Sequence, residues 1–518
     1  MLDIRIRGGL VVDGAQAPRE VDVGIQGERV SVVGSGLGRA RHSIDATGMI
    51  VAPGFIDMHT HSDFTLPIRP SAEAKLRQGV TTDVTGNCGF SPFPLADDVG
   101  ALHHGDFLEQ ELRERWPTLH AYAEEIEGRG LGINVAPLVG FGALRLSVLG
   151  EADVGADQSS LARMSELLRE AMHDGAFGAS SGLVYAPSSF ADVEELSALA
   201  AVVAGEGGIY ATHIRNEAEK LGEAIEEAIE VARSSGCRLQ ISHLKALGRA
   251  NWGSIADALD RIDRANASGC DVWVDAYPYT AGSSMLASLL PADALDGGEV
   301  ELQRRLARPE ERTRLARVLE QGAPFALEDV LLATVPGQPE LEGSSITEVA
   351  DREGIKPSEL VFRLLEQDGT KASMVAFGMA EEDVRSVLTH PRTLIGSDGW
   401  TMTTDAVQYA HPRNFASAVR LLTRYVRDEQ AIELSAAIAK LAYLPSRRLG
   451  LVERGLISPD AMADLVIIDL EGLSEESSFE DPCAYPVGIE HVLVAGQVAV
   501  ENGQVTGERA GRVLRKVV

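Results

Sequence analysis

The most informative stretch of the chain reads Gly54-Phe55-Ile56-Asp57-Met58-His59-Thr60-His61-Ser62-Asp63. Its first half is apolar and predicts a short buried β-strand. Residues i and i+2 of an extended chain point to the same side, so His59 and His61 direct two imidazoles at one place just beyond that strand. Imidazole is a common ligand of zinc and similar metals. A His-x-His pair is a weak signal by itself, and a metal site requires ligand-type residues at the ends of other strands as well.

Length and charge limit the class of protein. A chain of 518 residues is too long for one small core and indicates about three domains, or one large barrel with an accessory domain. The content of 45% hydrophobic residues and 52 glycines is typical of a globular α/β protein. The net charge of -30 argues against nucleic acid and anionic membranes as partners, since both bind basic surfaces, and we interpret the acidity as a contribution to solubility.

Cysteine usage and hydropathy predict a cytoplasmic protein. Cys88, Cys237, Cys270 and Cys483 are widely scattered and form no disulfide pattern, which favours a reducing compartment. The chain begins with charges placed inside its first apolar stretch, unlike a signal peptide. No run of about 18 uninterrupted apolar residues occurs, so no transmembrane helix is expected.

The two ends of the chain have the same β-rich pattern. Residues 3–7 and 21–25 alternate between polar and apolar side chains, and glycines punctuate them. Near the other end, 463–468 reads as a strand, and Asn502-Gly503 is a strong tight-turn signal. We therefore predict one small β-sandwich domain built from residues 1–53 and 455–518.

Between these ends the pattern alternates between short apolar strands and helices. The clearest helix is predicted over 217–235, where apolar residues recur at helical spacing and Gly236 ends the element. Eight strands are predicted, at 55–59, 80–84, 133–139, 176–180, 209–213, 239–243, 271–275 and 393–397. Eight such repeats favour a closed parallel (β/α)8 barrel of the TIM type over 54–454.

One interval is much longer than a single helix requires. Residues 276–392 separate the seventh and eighth predicted strands. Within them we predict an inserted subdomain at about 286–347, on the catalytic face, which serves as a lid or shapes the substrate site. The alternative is an inert surface elaboration.

Ligand-type residues gather at the predicted strand ends. Active sites of (β/α)8 barrels lie where the strands end, at the C-terminal face. Four of the 12 histidines fall there, with one cysteine and one aspartate: His59, His61, Cys88, His213, His243 and Asp398. Taken singly, a histidine could be a core residue, the cysteine an inert thiol and the aspartate a helix cap. Taken together, they predict a metal centre.

The set resembles the metal-dependent amidohydrolase superfamily, in which many members bridge two metals with a carboxylated lysine from strand four. Strand four here reads Gly178-Ala179-Ser180-Ser181-Gly182, without lysine, whereas Cys88 follows strand two. This combination is similar to the D-aminoacylase (N-acyl-D-amino-acid deacylase) branch, in which a cysteine thiolate takes the bridging role. Further matching motifs span nearly the whole chain, among them Gly86-Asn87-Cys88-Gly89-Phe90, Thr212-His213-Ile214-Arg215-Asn216-Glu217, Ser242-His243-Leu244-Lys245 and His411-Pro412-Arg413.

The resemblance implies a metal set, an activity and a substrate site. Cys88, His213 and His243 would hold a tightly bound zinc, and His59, His61, Asp398 and bridging Cys88 a second, weaker site. The implied reaction is hydrolysis of N-acyl-D-amino acids to a carboxylate and a D-amino acid, by a metal-activated water with Asp398 as general base and then acid. The positions that grip the substrate carboxylate in the family are matched by Lys245, Tyr277, Ser283 and Arg413.

The sequence departs from the family pattern at two places, and two other hypotheses remain. The interval from Asp398 to His411 is longer than the family leads us to expect, and Phe141 takes the place of a histidine. A cyclic amide hydrolase of the hydantoinase or dihydroorotase kind is the alternative enzyme, although such enzymes usually have the bridging lysine. A non-catalytic scaffold relative is the third hypothesis, although such proteins typically lose metal ligands. The sequence leaves open the preferred side chain and acyl group, the occupancy of the second metal site and the oligomeric state.

Overall fold

The computed structural model describes residues 1–95, 115–321, 326–405 and 410–516. The chain begins with short strands in which apolar side chains alternate with polar ones. These strands are Leu2–Arg7 (β1), Leu10–Val11 (β2), Arg19–Glu20 (β3), Asp22–Gln26 (β4), Arg29–Gly34 (β5), Ala40–Asp45 (β6) and Ile50–Pro53 (β7). They do not form one sheet: β5, β4, β1 and β6 pair in that order, whereas β7, β2 and β3 join a second sheet.

A run of parallel strands and helices follows and builds most of a barrel. Its first seven strands are Phe55–Asp57 (β8), Val80–Thr85 (β9), Asn134–Gly140 (β10), Gly178–Gly182 (β11), Ile209–His213 (β12), Arg238–Ile241 (β13) and Val272–Ala276 (β14). The helices among them are Glu73–Leu76 (α1), Leu119–Gly128 (α2), Phe141–Leu149 (α3), Gln158–His173 (α4), Val193–Gly205 (α5), Leu221–Ser235 (α6) and Ile255–Ala267 (α7). Each strand pairs in parallel with the next, as the alternating pattern predicts.

Two element boundaries differ from the sequence prediction for reasons that concern the site. The strand predicted over 239–243 ends at Ile241, because His243 has a φ of 34° and is not extended. The helix predicted from residue 217 begins at Leu221. Before it, the Asn216 side chain accepts hydrogen bonds from the backbone of Ala218 and Lys220, which makes a turn and leaves Glu217 buried.

The long interval after the seventh strand forms a subdomain with its own core. Its elements are Ala281–Met285 (β15), Gly298–Leu306 (α8), Pro309–Gln321 (α9), Val330–Thr334 (β16), Ile346–Glu353 (α10), Pro357–Asp368 (α11) and Ser373–Phe377 (β17). The strand β17 lies between β15 and β16 in an antiparallel sheet. The apolar core of this insertion includes residues from Leu286 to Ala376. The division of the chain into domains, with the insertion ending at about 347, stays a prediction.

The chain then returns to close the barrel. After Glu381–Thr389 (α12), the strand Thr393–Ile395 (β18) pairs in parallel with β14. On its other side it meets the first barrel strand: the backbone N–H of Met58 donates to the carbonyl of Ile395 at 3.0 Å, and that of His61 donates to the carbonyl of Gly399 at 2.9 Å. The predicted (β/α)8 barrel is confirmed.

The remaining elements complete the second sheet. The helices Arg413–Arg420 (α13), Leu434–Ile438 (α14) and Leu444–Leu449 (α15) precede the strands Leu465–Ile468 (β19), Ile489–Val494 (β20), Gln497–Glu501 (β21) and Gln504–Val505 (β22). This sheet has the order β22-β21-β20-β19-β7-β2-β3, so the two ends of the chain share it. Ile4 and Val23 of the four-stranded sheet pack in one core with Leu465 and Ile467, which makes the β-sandwich. Among the described residues, no helix is both long and apolar enough to pass through a bilayer.

Candidate metal-dependent active site

The residues predicted at the strand ends converge on one sulfur atom. The Sγ atom of Cys88 lies 3.3 Å from Nε2 of His59, 3.8 Å from Nδ1 of His213 and 3.4 Å from Nε2 of His243. All four side chains are buried. Four segments that are far apart in sequence therefore bring a thiol and three imidazoles to one point at the C-terminal face of the barrel.

A second group of donors lies against the first. Nε2 of His61 is 3.0 Å from Oδ1 of Asp398, and Nε2 of His59 is 3.5 Å from the same oxygen. Two potential ligand sets result, Cys88 with His213 and His243, and Cys88 with His59, His61 and Asp398. Within each set the donor atoms lie within 4.8 Å of one another. The structure thus brings together all six predicted metal ligands.

Three of these residues have unusual backbone conformations. The φ angles of Cys88, His243 and Asp398 are 53°, 34° and 53°, in the left-handed region that residues with a Cβ seldom adopt. Each of them lies just after a barrel strand, where the chain turns sharply and the side chain is aimed at the centre of the barrel mouth. Strain of this kind persists where the surrounding structure enforces it, and it is concentrated at functional sites.

Two carboxylates that the sequence analysis did not single out fix the imidazoles from behind. Oδ1 of Asp275 is 3.0 Å from Nδ1 of His59 and accepts from the backbone N–H of His243 at 2.7 Å. Glu217 contacts two other rings, with Oε2 3.4 Å from Nε2 of His213 and Oε1 3.1 Å from Nδ1 of His243. Each of these three imidazoles therefore turns one nitrogen to Cys88 and the other to a buried carboxylate.

Neighbouring charged groups lower the pKa values of two acidic groups in the site, Cys88 and Asp398. Burial opposes ionisation of the Cys88 thiol, but the imidazoles of His59 and His243 outweigh it and hold the pKa of the thiol well below its ordinary range. Burial likewise opposes ionisation of Asp398, and the guanidinium of Arg413 with the imidazole of His61 holds the pKa of that carboxyl well below its usual value. The site is therefore built to keep a thiolate and a carboxylate charged inside the protein.

The donor set fits zinc. Thiolate and imidazole are the ligands that zinc prefers, and ligands of one tetrahedral zinc lie roughly 3 to 4 Å apart. The distances from the Cys88 sulfur to the three imidazole nitrogens, 3.3, 3.4 and 3.8 Å, fall in that range. Carboxylates that hold the far nitrogen of each ring, as Asp275 and Glu217 do, are the usual outer support of histidine ligands.

A buried lysine ties the first barrel strand to the last beneath this cluster. Nζ of Lys75 donates to Oδ2 of Asp57 at 2.7 Å and to Oγ of Ser397 at 2.8 Å, and it lies 3.7 Å from Oδ2 of Asp83. Asp57 precedes His59 by two residues, and Ser397 precedes Asp398 by one. Lys75 therefore fixes the seam at which the donors of strand one and strand eight meet.

The four predicted substrate-binding residues line one cavity of about 280 Å³ together with the cluster. Those residues are Lys245, Tyr277, Ser283 and Arg413, and His61, His213, His243 and Asp398 line the same cavity. Nζ of Lys245 lies 5.9 Å from the centre of the Tyr277 ring, and Cζ of Arg413 lies 5.2 Å from it. Two cations thus lie within 5.9 Å of the centre of one aromatic ring at one side of the cavity.

Both cations already contact carboxylates of the protein. Nη1 of Arg413 donates to Oδ2 of Asp398 at 2.7 Å, and its Nη2 donates to the carbonyl of Ser283 at 3.3 Å. Nζ of Lys245 donates to Oε1 of Glu217 at 2.6 Å. Within the described part of the chain, the buried Nε of Arg413 has no acceptor.

The sequence departs from the family pattern at Phe141 and in the interval from Asp398 to His411. Phe141 stacks on Tyr210, with ring centres 5.5 Å apart, and belongs to the main hydrophobic core. His411 is buried, accepts from the backbone N–H of Arg413 at 3.0 Å and lies 2.9 Å from the carbonyl of Ala281, which fixes the start of α13 against β15. Residues 406–409, inside the interval between Asp398 and His411, lie outside the described residues.

The insertion forms one wall of the cavity. Its contributions are small or uncharged side chains: Ser284, Ser288, Ala333, Thr334, Ser373, Met374 and Ala376. They line the same cavity as His61, His213, His243 and Asp398. A substrate held at the donors would therefore contact the insertion.

Comparison with known proteins agrees with this geometry. The profile of the amidohydrolase family matches residues 42–293 and 302–500. The N-acyl-D-glutamate deacylase of Alcaligenes xylosoxydans xylosoxydans is 36% identical over 523 residues, which cover 99% of this chain and 97% of that protein. The crystal structure of D-aminoacylase superposes with a TM-score of 0.86 at 34% identity and covers 100% of both chains.

A second solved structure is similar to the same extent. The N-acyl-D-glutamate deacylase of Bordetella bronchiseptica, in complex with zinc and a phosphonate mimic of the tetrahedral intermediate, superposes with a TM-score of 0.86 at 32% identity over 99% of both chains. Matches of this extent, over a site with this donor set, show that the chain belongs to the amidohydrolase family.

Proposed function

We propose that the protein is a zinc-dependent hydrolase that cleaves the amide bond of N-acyl-D-amino acids and releases a carboxylate and a D-amino acid. The observation that carries this proposal is the position of Cys88, whose sulfur contacts three imidazoles at the barrel mouth while the fourth strand has no lysine. The relatives that match over nearly the whole chain are deacylases of N-acyl-D-amino acids, and the preference for the D isomer is inferred from them.

Cys88, His213 and His243 would hold a tightly bound zinc, and His59, His61 and Asp398 would form a second, weaker site with Cys88 as the bridge. When bound, zinc supplies Lewis-acid chemistry, which polarises the amide carbonyl and lowers the pKa of a water molecule to about 7. The neutral imidazoles and the thiolate that bind zinc require loss of protons, so binding is coupled to proton release. Asp275 and Glu217 are the groups that keep the rings oriented throughout.

Asp398 is the proposed general base and acid. Its carboxylate faces the donors, and its charge is maintained by Arg413 and His61 despite burial. It is placed to accept a proton from the attacking water and to return that proton to the leaving amine, which must be protonated to depart. Arg413 holds Oδ2, and Oδ1 faces the imidazoles of His61 and His59 among the donors.

The substrate carboxylate would lie between the two cations. Arg413 and Lys245 provide two positive charges, and Tyr277 and Ser283 provide hydroxyl groups at the same side of the cavity. A carboxylate held there places the adjacent amide beside Asp398. This arrangement suits a linear amide with a free α-carboxylate.

The other two hypotheses have less support. A hydantoinase-like or dihydroorotase-like enzyme acts on cyclic amides, and the strand that carries the bridging lysine in such enzymes here contains glycine, alanine and serine. A non-catalytic scaffold does not require six converging donors with two supporting carboxylates.

We also place the protein in the cytoplasm, a reducing compartment. All four cysteines are free, and Cys88 must stay a thiolate to bind a metal.

The test is a panel of substrates given to the zinc-loaded protein, with the release of free amine as the readout. The panel contains N-acetyl derivatives of several D-amino acids, the matching L isomers, and hydantoin and dihydroorotate as cyclic amides. We expect turnover of the D derivatives and little or none of the L isomers or the cyclic amides. Preferential opening of a cyclic amide would contradict the proposal.

A further inference from the structure

A second, smaller cavity opens beyond the Tyr185 side of the active site. Its volume is about 50 Å³, and its lining is predominantly apolar. Phe90, Leu146, Met285, Leu295 and Leu302 are among its walls. Tyr185 and Ser288 line both this cavity and the larger one, so the two cavities are adjacent and share these side chains as a common wall.

One strand of the insertion connects the carboxylate end of the site with this apolar cavity. The carbonyl of Ser283 accepts from Arg413 at 3.3 Å, and Oγ of Ser284 lies 3.2 Å from the hydroxyl of Tyr185. The next residue, Met285, packs in one apolar cluster with Cys88 and Tyr185. Two residues of an extended strand span about 7 Å, so β15 leads from the guanidinium to the apolar cavity over that distance.

The connectivity of the substrate matches this path. In an N-acyl amino acid, the carbons on either side of the trans amide are about 3.8 Å apart, and the carboxylate is bonded to one of them. With the carboxylate at Arg413 and Lys245 and the amide carbonyl at the donors around Cys88, the acyl chain leaves the carbonyl carbon on the side away from the carboxylate. Tyr185 lies between the donors and the apolar cavity, with its ring centre 5.2 Å from that of His213 and 5.2 Å from that of Phe90.

We propose that the cavity beyond Tyr185 binds the acyl chain of the substrate, and that this enzyme prefers neutral aliphatic acyl groups longer than acetyl, such as hexanoyl. This inference rests on the proposed function and specifies its substrate class. The apolar walls gain from burying methylene groups, each worth about fourfold in binding. An acetyl group has one carbon beyond the carbonyl and would leave the cavity unfilled.

Two carboxylates in the lining of the cavity disfavour an acyl group that carries a negative charge. Glu151 and Glu299 are among the lining residues at the side of the insertion helix α8. An acyl group with a terminal carboxylate, such as succinyl, would place a negative charge close to two others in surroundings of low polarity. Succinyl derivatives are therefore poorer substrates than uncharged acyl groups of the same length.

The first experiment uses the zinc-loaded wild-type protein with N-acetyl-, N-butanoyl-, N-hexanoyl- and N-succinyl-D-alanine. We expect kcat/KM for the hexanoyl derivative to exceed that for the acetyl derivative by at least about tenfold, the effect of two buried methylenes. We expect the succinyl derivative to fall below the butanoyl derivative. If the acetyl derivative is hydrolysed efficiently and kcat/KM does not rise with the length of the acyl group, the assignment of the cavity is wrong but the proposed function is not. No turnover of any of the four would overturn the proposed function together with it.

A variant that narrows the junction between the two cavities tests where the acyl chain binds. Ser288→Phe places an aromatic ring where the two cavities join, and we expect it to bring the hexanoyl-to-acetyl ratio close to one. Val300→Phe on α8 is the matched control, because Val300 is 64% exposed, and it keeps the wild-type ratio. If Ser288→Phe instead penalises a longer D side chain with the acetyl group fixed, the cavity binds the side chain and the inference is wrong.

A measurement on the wild-type protein covers the case in which Ser288→Phe does not fold. Hexanoate and acetate are the acids that the respective substrates release, and each should inhibit competitively. We expect hexanoate to inhibit at a concentration at least about tenfold lower than acetate. Equal inhibition constants would overturn the assignment.

Discussion

The floor and the wall of the active-site cavity are built in opposite ways. The floor is made of barrel strand ends, where buried charged groups contact one another, as in the pairs His59 with Asp275 and His213 with Glu217. The wall comes from the insertion and presents uncharged side chains such as Thr334 and Met374. The insertion also has a hydrophobic core of its own. The barrel therefore provides the metal-binding and catalytic groups, and the insertion shapes the space for the substrate. Substitutions in the barrel should change turnover or zinc affinity, whereas substitutions in the insertion should change substrate preference.

The largest effect is expected at Asp398. Asp398→Asn keeps the shape of the side chain but removes the proton acceptor, so we expect turnover to fall by about 10³-fold or more. Under the proposed assignment, Cys88, His213 and His243 hold the tightly bound zinc and Asp398 belongs to the weaker set, so the zinc content should not fall. Metal analysis and kcat of the same preparation check both parts. Asp405→Asn, at an exposed aspartate, is the control, and substantial residual turnover in Asp398→Asn would remove this residue from the mechanism.

The next largest effect is expected at the lysine beneath the floor. Lys75→Met leaves the buried carboxylates of Asp57 and Asp83 without their cation, and the free energy of unfolding should fall by about 3–5 kcal/mol. Chemical denaturation monitored by circular dichroism measures this change. Lys220→Met, at an exposed lysine, should leave the unfolding midpoint where it is. A Lys75→Met protein as stable as the wild type would show that the seam between the first and last strands does not depend on this residue.

A smaller effect is expected at the carboxylate behind two of the imidazoles. Glu217→Gln retains the size of the side chain but loses the charge that orients His213 and His243, so zinc affinity should fall by about 10–100-fold. Competition with a chelator of known affinity measures this constant. Glu223→Gln on the exposed face of α6 is the matched control. Unchanged affinity in Glu217→Gln would mean that the rings are held by packing alone.

The smallest effect is expected in the wall. Met374→Ala enlarges the cavity on the side of the insertion, and the ratio of kcat/KM between N-acetyl derivatives of a bulky and a small D-amino acid should change by about tenfold or less. Zinc content should stay at the wild-type value. A change in zinc content with an unaltered ratio would contradict the division between floor and wall.

The residues of the floor can be predicted from the sequence because their positions follow from the geometry of a barrel. Parallel strands of a barrel end at one face, so His59, Cys88, His213, His243 and Asp398 had to come together once the strands were recognised. The strands themselves follow from short apolar runs between helices, and the predicted strand at 209–213 coincides with Ile209–His213.

Other parts of the site depend on information that lies outside local patterns. Glu217 follows His213 by four residues and would be placed on a helix by periodicity, yet a turn capped by Asn216 directs it into the barrel. Lys75 lies on a short helix and gives no sign that it is buried. The apolar cavity beyond Tyr185 depends on how the insertion packs on the barrel, which no spacing rule predicts.

The central claim is that the donors around Cys88 hold the zinc on which amide hydrolysis depends, and zinc titration tests it most directly. The protein is stripped with a chelator and assayed with an N-acyl-D-amino acid while zinc is added in fractions of an equivalent. We predict no turnover without metal and a rise that is largely complete at the first equivalent. The same titration of Cys88→Ala should restore little. Full turnover by the stripped protein, or equal restoration in the Cys88→Ala variant, would contradict the claim.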